Sequence, residues 1–144
     1  MPKSTATCNS IVNLMYRATA WANVADNAAA SPLANTFVAL HTADLTAATN
    51  SQAENETAYT NYARQSVARS TGWGAASGGA TQNAATISFP QCGVTGATLT
   101  HVSTGTTVSG ATPVWHYGAL NSSLVVSSGI TPQFAAGALT VTES

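Results

Sequence analysis

Apolar and polar positions alternate most clearly in the last third of the chain, where Tyr117 to Val141 reads YGALNSSLVVSSGITPQFAAGALTV. Short bursts of alternation, each closed by Gly, Pro, Asn or Ser, mark half-buried antiparallel strands joined by tight turns. The spacing predicts a meander in which Gly118-Ala-Leu120 and Gly137-Ala-Leu139 open two successive strands, with reversals at Ser128-Gly129 and Pro132. Upstream, Thr36-Phe-Val-Ala-Leu-His-Thr42 predicts a first strand, and Ala85 to Phe89 a short one stopped by Pro90. Thr98 to Ser103 predicts another, with Thr106 to Ser109 as its hairpin partner, and Val114 to Leu120 leads into the meander. Tyr62 to Ser70 also alternates, but neither face is clearly apolar, which predicts an edge or interface strand.

Helical spacing occurs once, early in the chain. Ile11, Leu14, Met15 and Ala18 recur with a helical period behind Asn9 or Ser10 as cap, predicting a helix over roughly 9–19. Residues 1–8 are expected to form an extended arm. Ala20 to Ser31 is rich in Ala and Asn with Trp21 as its large group, and Pro32 sets up an extended entry into the first strand. Asp44 to Thr60 holds three of the five acids and no apolar residue larger than Leu45 before Tyr59, so a surface segment is expected at 44–60, either a long loop throughout or one with a weak helix near Gln52. Thr71 to Asn83 is a Gly-rich connection with Trp73 between two glycines; it lacks the Gly-Lys-Ser/Thr end of a phosphate loop. About eight short strands and one early helix predict a mainly β fold, a single antiparallel β-sandwich of jelly-roll type over residues 9–144.

Composition changes the picture chiefly through charge. Charged residues are 6% of the 144, against about a quarter in ordinary soluble proteins. Lys3, Arg17, Arg64 and Arg69 stand against Asp26, Asp44, Glu54, Glu56 and Glu143, a net charge of -1. Four cations are too few for counterion release from nucleic acid, so no nucleic-acid partner is expected. A neutral Thr/Ser/Asn/Gly surface loses few hydrated ions on burial and therefore suits assembly. No apolar run approaches the roughly 20 residues of a membrane span, and residues 1–10 do not resemble a secretory signal, so no membrane partner is expected. Cys8 and Cys92 lie in no metal-binding spacing and are expected as free thiols.

Candidate chemistry is sparse. His41, His101 and His116 each fall inside a predicted strand, far apart and with no acid beside them in sequence, which favours structural histidines over a zinc site. A Ser-His-Asp triad finds no Gly-x-Ser-x-Gly elbow, and Glu54 and Glu56 on one loop are expected to be solvated rather than paired across a cleft. Neither catalytic residues nor cofactor or metal ligands are expected. Trp21, Trp73, Trp115, Tyr16, Tyr59, Tyr62 and Tyr117 could stack on a carbohydrate, but core packing is the expectation for Trp115 and Tyr117, while Trp73 is open between a surface anchor and local packing.

Phe37-Val-Ala-Leu-His-Thr-Ala-Asp44, then Tyr62-Ala-Arg-Gln65 with Ala75-Ala-Ser-Gly-Gly79 and Ile87-Ser-Phe-Pro90, and last Tyr117-Gly-Ala-Leu120 with Phe134 to Val141, resemble a family of short tailed-bacteriophage structural proteins often labelled phage tail fibre protein. The resemblance runs from about Asn9 to Thr142 and implies a virion protein without an active site. Because the chain lacks the repeats that lengthen a fibre shaft, its character also resembles small jelly-roll decoration proteins. The leading expectation is a capsid decoration or cement protein, a homotrimer bound to the major capsid protein. The alternative is a tail-fibre or tail-tip receptor-binding module bound to other tail proteins. The expected contact residues are Lys3, Ile11, Leu14, Glu54, Glu56 and Trp73.

Overall fold

The computed structural model describes residues 3–21, 25, 33–45 and 51–143. The chain is mainly β, with antiparallel sheets and one N-terminal helix, the class of a small β-sandwich that the alternation predicts. Its contacts gather into two compact units, each assembled from distant segments. Unit 1 comprises Met1–Asn35, Val67–Ile87 and Phe134–Ser144, and unit 2 comprises Thr36–Ser66 and Ser88–Gln133.

In unit 1 the helix α1 spans Thr5–Arg17 and so begins earlier than the apolar period suggests, taking in part of the expected extended arm. The cap is Ser4, whose Oγ accepts the Thr7 N–H at 3.2 Å and satisfies one of the four unpaired donors of the first turn. Ala18 closes the helix in a left-handed conformation with φ 54°. The buried stripe is Cys8, Val12 and Tyr16, spaced by four, while the expected Ile11, Leu14 and Met15 are only half-buried. Tyr16 sets the phase, because its ring meets Trp73 edge-on with centroids 4.7 Å apart.

The Gly-rich stretch is not only a connection, since β3 (Ala80–Gln82) lies within it and pairs antiparallel with β8 (Thr140–Thr142) in the register Thr81↔Val141. Polar side chains of α1 order it: Asn13 Oδ1 accepts the Ala76 N–H at 3.1 Å and Asn9 Oδ1 accepts the Gly79 N–H. Gly79 has φ +79°, and a Cβ there would sit 2.7 Å from the Glu143 carbonyl oxygen and 3.1 Å from Cys8 Cβ, so the close approach requires glycine.

Four strands form one sheet in the order β2-β1-β5-β6, with β2 at Gln65–Ala68, β1 at Asn35–His41, β5 at Ala97–Gly105 and β6 at Val114–Val126. A two-stranded ladder joins β4 (Ile87–Ser88) to β7 (Gln133–Phe134). The register runs from Phe37↔Gly105 to His41↔His101 between β1 and β5, and Val38, Ala39, Leu40 and His41 are all buried. The alternating Tyr62–Ser70 segment supplies β2, an edge strand as predicted, though only its centre is regular.

Two expectations fail in β5 and β6. Thr106–Ser109 is no strand; the chain loops from 106 to 113, and β6 itself is the antiparallel partner of β5. Nor does Gly118 open a new strand, because β6 continues to Val126. Ala119 faces His101 and Leu124 faces Leu99, so residues 120–123 bulge opposite Thr100, absorbing the Asn-Ser-Ser that reads as a turn. The reversal at Ser128-Gly129 is present, with Gly129 at φ +87°. The expected entry at Pro32 lies outside the described residues.

Candidate functional site

The most densely bonded charges sit in unit 2, around a residue that follows a tight turn. Tyr59 to Tyr62 turns with Asn61 at φ 78°, a conformation Asn tolerates, and delivers Arg64 to the start of β2 with its side chain 1% exposed. The guanidinium meets Glu56 through two bonds, Nε to Oε1 and Nη2 to Oε2, each 2.7 Å. Such bidentate pairing is the geometry that makes a buried arginine tolerable. The remaining donors reach Gln52 Oε1 at 3.1 Å, the Thr107 carbonyl at 3.2 Å, Thr112 Oγ1 at 3.4 Å and the Gly110 carbonyl at 2.8 Å.

These bonds fasten both sides of the loop at 106–113, whose tip, Val108 to Ala111, is exposed. On the other side of the network, Tyr62 Oη donates to Glu56 Oε1 at 2.9 Å and accepts the Leu40 N–H at 3.1 Å. Burial, the larger cause, together with the neighbouring carboxylate pushes the Tyr62 phenol far above its ordinary range, so it stays a donor at any working pH. Gln52 Nε2 donates to the Phe37 carbonyl at 2.8 Å. A Cβ at Gly105 would lie 2.3 Å from Gln52 Oε1, which fixes glycine at the end of β5.

His41 is a structural histidine, as expected. Its Nδ1 donates to the Glu54 carbonyl and its Nε2 accepts the Ser103 hydroxyl proton, both at 2.8 Å. A carbonyl can only accept, so the neutral ring carries its proton on Nδ1. Burial lowers the His41 pKa below the usual histidine value, outweighing the Glu54 carbonyl and Glu56, which favour the charged ring. His101 does have an acid nearby in space, with Nε2 3.4 Å from Asp44 Oδ1, but Asp44 is largely exposed and the contact is long. Among the described residues no group of three His, Cys, Asp or Glu could hold a metal ion. Cys8 and Cys92 are free and buried.

The six expected contact residues are divided between the two units. Lys3, Ile11, Leu14 and Trp73 belong to unit 1, and Glu54 and Glu56 to unit 2. Lys3 is not an outreaching arm residue; it pairs with Glu143 at 2.6 Å, and that bond is the main cause raising its pKa. Ile11 and Leu14 are half-buried, and the Leu14 carbonyl accepts from Arg69. Trp73, at 1% exposure, packs in the core rather than anchoring a surface, and its carbonyl accepts from Arg17 at 3.2 Å. Glu56 is not a solvated loop acid but half of the internal ion pair, and Glu54 is half-buried. The 44–60 loop itself is pinned, with Gln52, Thr57 and Tyr59 buried; its residues 46–50 lie outside the described residues.

Tyr117, expected in the core, is 44% exposed on β6, and Trp115 is half-buried. Sequence reasoning also passed over Arg64 and Arg69. The available signal was their position in an alternating segment with no apolar face, in a chain with only four cations.

A family model described as Podophage GP4 fiber I protein gp80 matches residues 2–142, and the chain belongs to that family. No curated protein matches it. The match makes the chain a bacteriophage virion structural protein of fibre type, and no helix among the described residues is long and apolar enough to cross a membrane.

Proposed function

We propose that this member of the podophage fibre family is a component of the tail fibre apparatus that works by contact, holding neighbouring tail proteins and copies of itself, with no bond-making chemistry. The observation that carries the reading is the family match over residues 2–142. The architecture supports it in two respects. Every cation of the chain is engaged internally: Lys3 with Glu143, Arg17 with the Trp73 carbonyl, Arg64 with Glu56, and Arg69 with carbonyls of α1. The outer surface is therefore poor in ions and can be covered by a partner with little desolvation cost. Second, Arg64 holds the 106–113 loop in place before any partner arrives, so docking through its tip orders little chain.

The capsid-decoration expectation rested on composition and on the missing shaft repeats, and the family description gives it no specific support. Labelling intact particles with gold-conjugated antibody against the chain separates the two placements. Gold confined to the tail is expected. Gold spread over the capsid surface overturns the tail placement.

A further inference from the structure

Within unit 2 the segment 51–57 runs between the 106–113 loop and the end of β1, and it is tied to both. At the loop, the Gln52 N–H donates to the Thr112 carbonyl at 2.8 Å. The Gln52 and Glu56 side chains also hold Arg64, whose other donors fasten the loop at the Thr107 and Gly110 carbonyls. At β1, the Thr57 N–H donates to the Leu40 carbonyl and the Thr42 N–H to the Asn55 carbonyl, both at 2.9 Å. His41 completes this second anchorage, its buried ring bridging the Glu54 carbonyl and the Ser103 hydroxyl. Closure of the segment also carries an uncompensated cost. Thr57 Oγ1 is buried with no hydrogen-bond partner among the described residues, so it gives up hydration without a bond in return.

We propose that His41 is a proton-operated clasp, whose charging releases the segment 51–57 from β1 and thereby loosens the 106–113 loop. A charged ring needs acceptors at both nitrogens. The Glu54 carbonyl still serves Nδ1, but once Nε2 carries a proton Ser103 loses its donor role and must turn its own proton elsewhere in a buried site. Nor is a carboxylate free to balance the new charge. The charged groups that face the ring are Glu56, Arg64 and His101. Glu56 is occupied by two Arg64 donors and the Tyr62 hydroxyl, and the Arg64 cation opposes a second one beside it. His101 stands directly across the β1–β5 ladder, so its own charging repels as well. Asp44 answers His101, at 3.4 Å, and is itself largely exposed. Water can solvate a charged His41 once 51–57 has lifted, and lifting carries Gln52 and Glu56 away from Arg64. Burial already weakens proton binding in the closed form, so closure holds above about pH 6.5 and opening grows as pH falls below it. The clasp lies wholly in unit 2 and does not rest on the placement of the chain in the tail.

The test is hydrogen exchange of the purified full-length chain, followed by mass spectrometry between pH 7 and 5 and corrected for the intrinsic pH dependence of amide exchange. In wild type, peptides covering 51–57 and 106–113 are expected to exchange faster as pH falls, by up to about tenfold per pH unit below 6.5, while peptides of α1 stay unchanged. His41→Gln should abolish the acceleration, because a neutral amide can donate to the Glu54 carbonyl and accept from Ser103 without titrating. His101→Gln should retain it. Should His41→Gln not fold, imidazole titration of wild type by NMR takes its place, and the acceleration must then follow the His41 ring; following that of His101 overturns the proposal. So does wild type without acceleration, acceleration of 51–57 that leaves 106–113 unchanged, acceleration shared equally by α1, or acceleration that survives in folded His41→Gln.

Discussion

Each unit buries one arginine from the same alternating segment, and the two are accommodated differently. Arg69, in unit 1, donates to the carbonyls of Leu14 and Met15 in the last turn of α1 and to that of Leu33. The helix C-terminus offers unpaired carbonyls and negative partial charge, so a cation can settle there against dipoles. Burial pulls the Arg69 pKa downward, though not far enough to discharge a guanidinium. Arg64, in unit 2, meets the carboxylate of Glu56 as well as carbonyls and an amide. The first arrangement fastens backbone. The second creates a mutual dependence, because removing either partner strands the other's charge.

The largest effect is therefore expected from Arg64→Ala. It should lower stability by about 3–5 kcal/mol, the range for breaking one side of a buried ion pair, measured by denaturant unfolding. Limited proteolysis should show new cleavage within residues 106–113, and Arg64→Lys should recover only part of the loss because an ammonium lacks the planar fork matched to the two Glu56 oxygens and has too few donors to serve Gln52 and the loop carbonyls as well. Arg69→Ala is expected to cost less, about 2–3 kcal/mol, since it leaves behind neutral carbonyls rather than an ion. Its signature should be lost helical signal in far-ultraviolet circular dichroism. Equal losses for the two variants would erase the contrast between carboxylate and dipole partners.

The smallest effect concerns His41, which lies within the same unit as Arg64. A folded-state pKa below the unfolded value means the unfolded chain binds the extra proton first, so the stability this group contributes is present above about pH 6.5 and is lost as pH falls below it. The loss should set in over the window below about pH 6.5 and cannot exceed about 1.4 kcal/mol per pH unit. Comparing denaturation midpoints of wild type and His41→Gln isolates it, because the nearby charged groups Glu56, Arg64 and His101 are common to both. A wild-type midpoint as flat as the variant's across that window contradicts the assignment.

Much of the fold was legible because local pattern decides it. Phe37 to Leu40 is a β-branched and apolar run bracketed by turn residues, and β1 falls there; Pro90 ends a short strand where expected. The helix start was missed because Ser4 caps a first turn, Thr5 to Thr7, without large apolar residues, so no periodicity announces it. Long-range satisfaction explains the other misses. Gln52 reads as a loop residue yet is buried, because its amide meets the Phe37 carbonyl and Arg64 from opposite sides. Trp73, which its glycines leave open between a surface anchor and local packing, fills the space against Tyr16. Glu56 and Trp73 show that a polar or Gly-rich neighbourhood in sequence need not be a wet one in space.

The internal engagement of the cations has a consequence for the environments in which such a protein works. Apart from the Lys3–Glu143 pair near the surface and the exposed Asp44 beside His101, there is little among the described residues for a Debye atmosphere to screen. Joints built from this surface should tighten or loosen hardly at all between fresh water and brine, a useful property for a particle that must stay assembled while drifting between hosts.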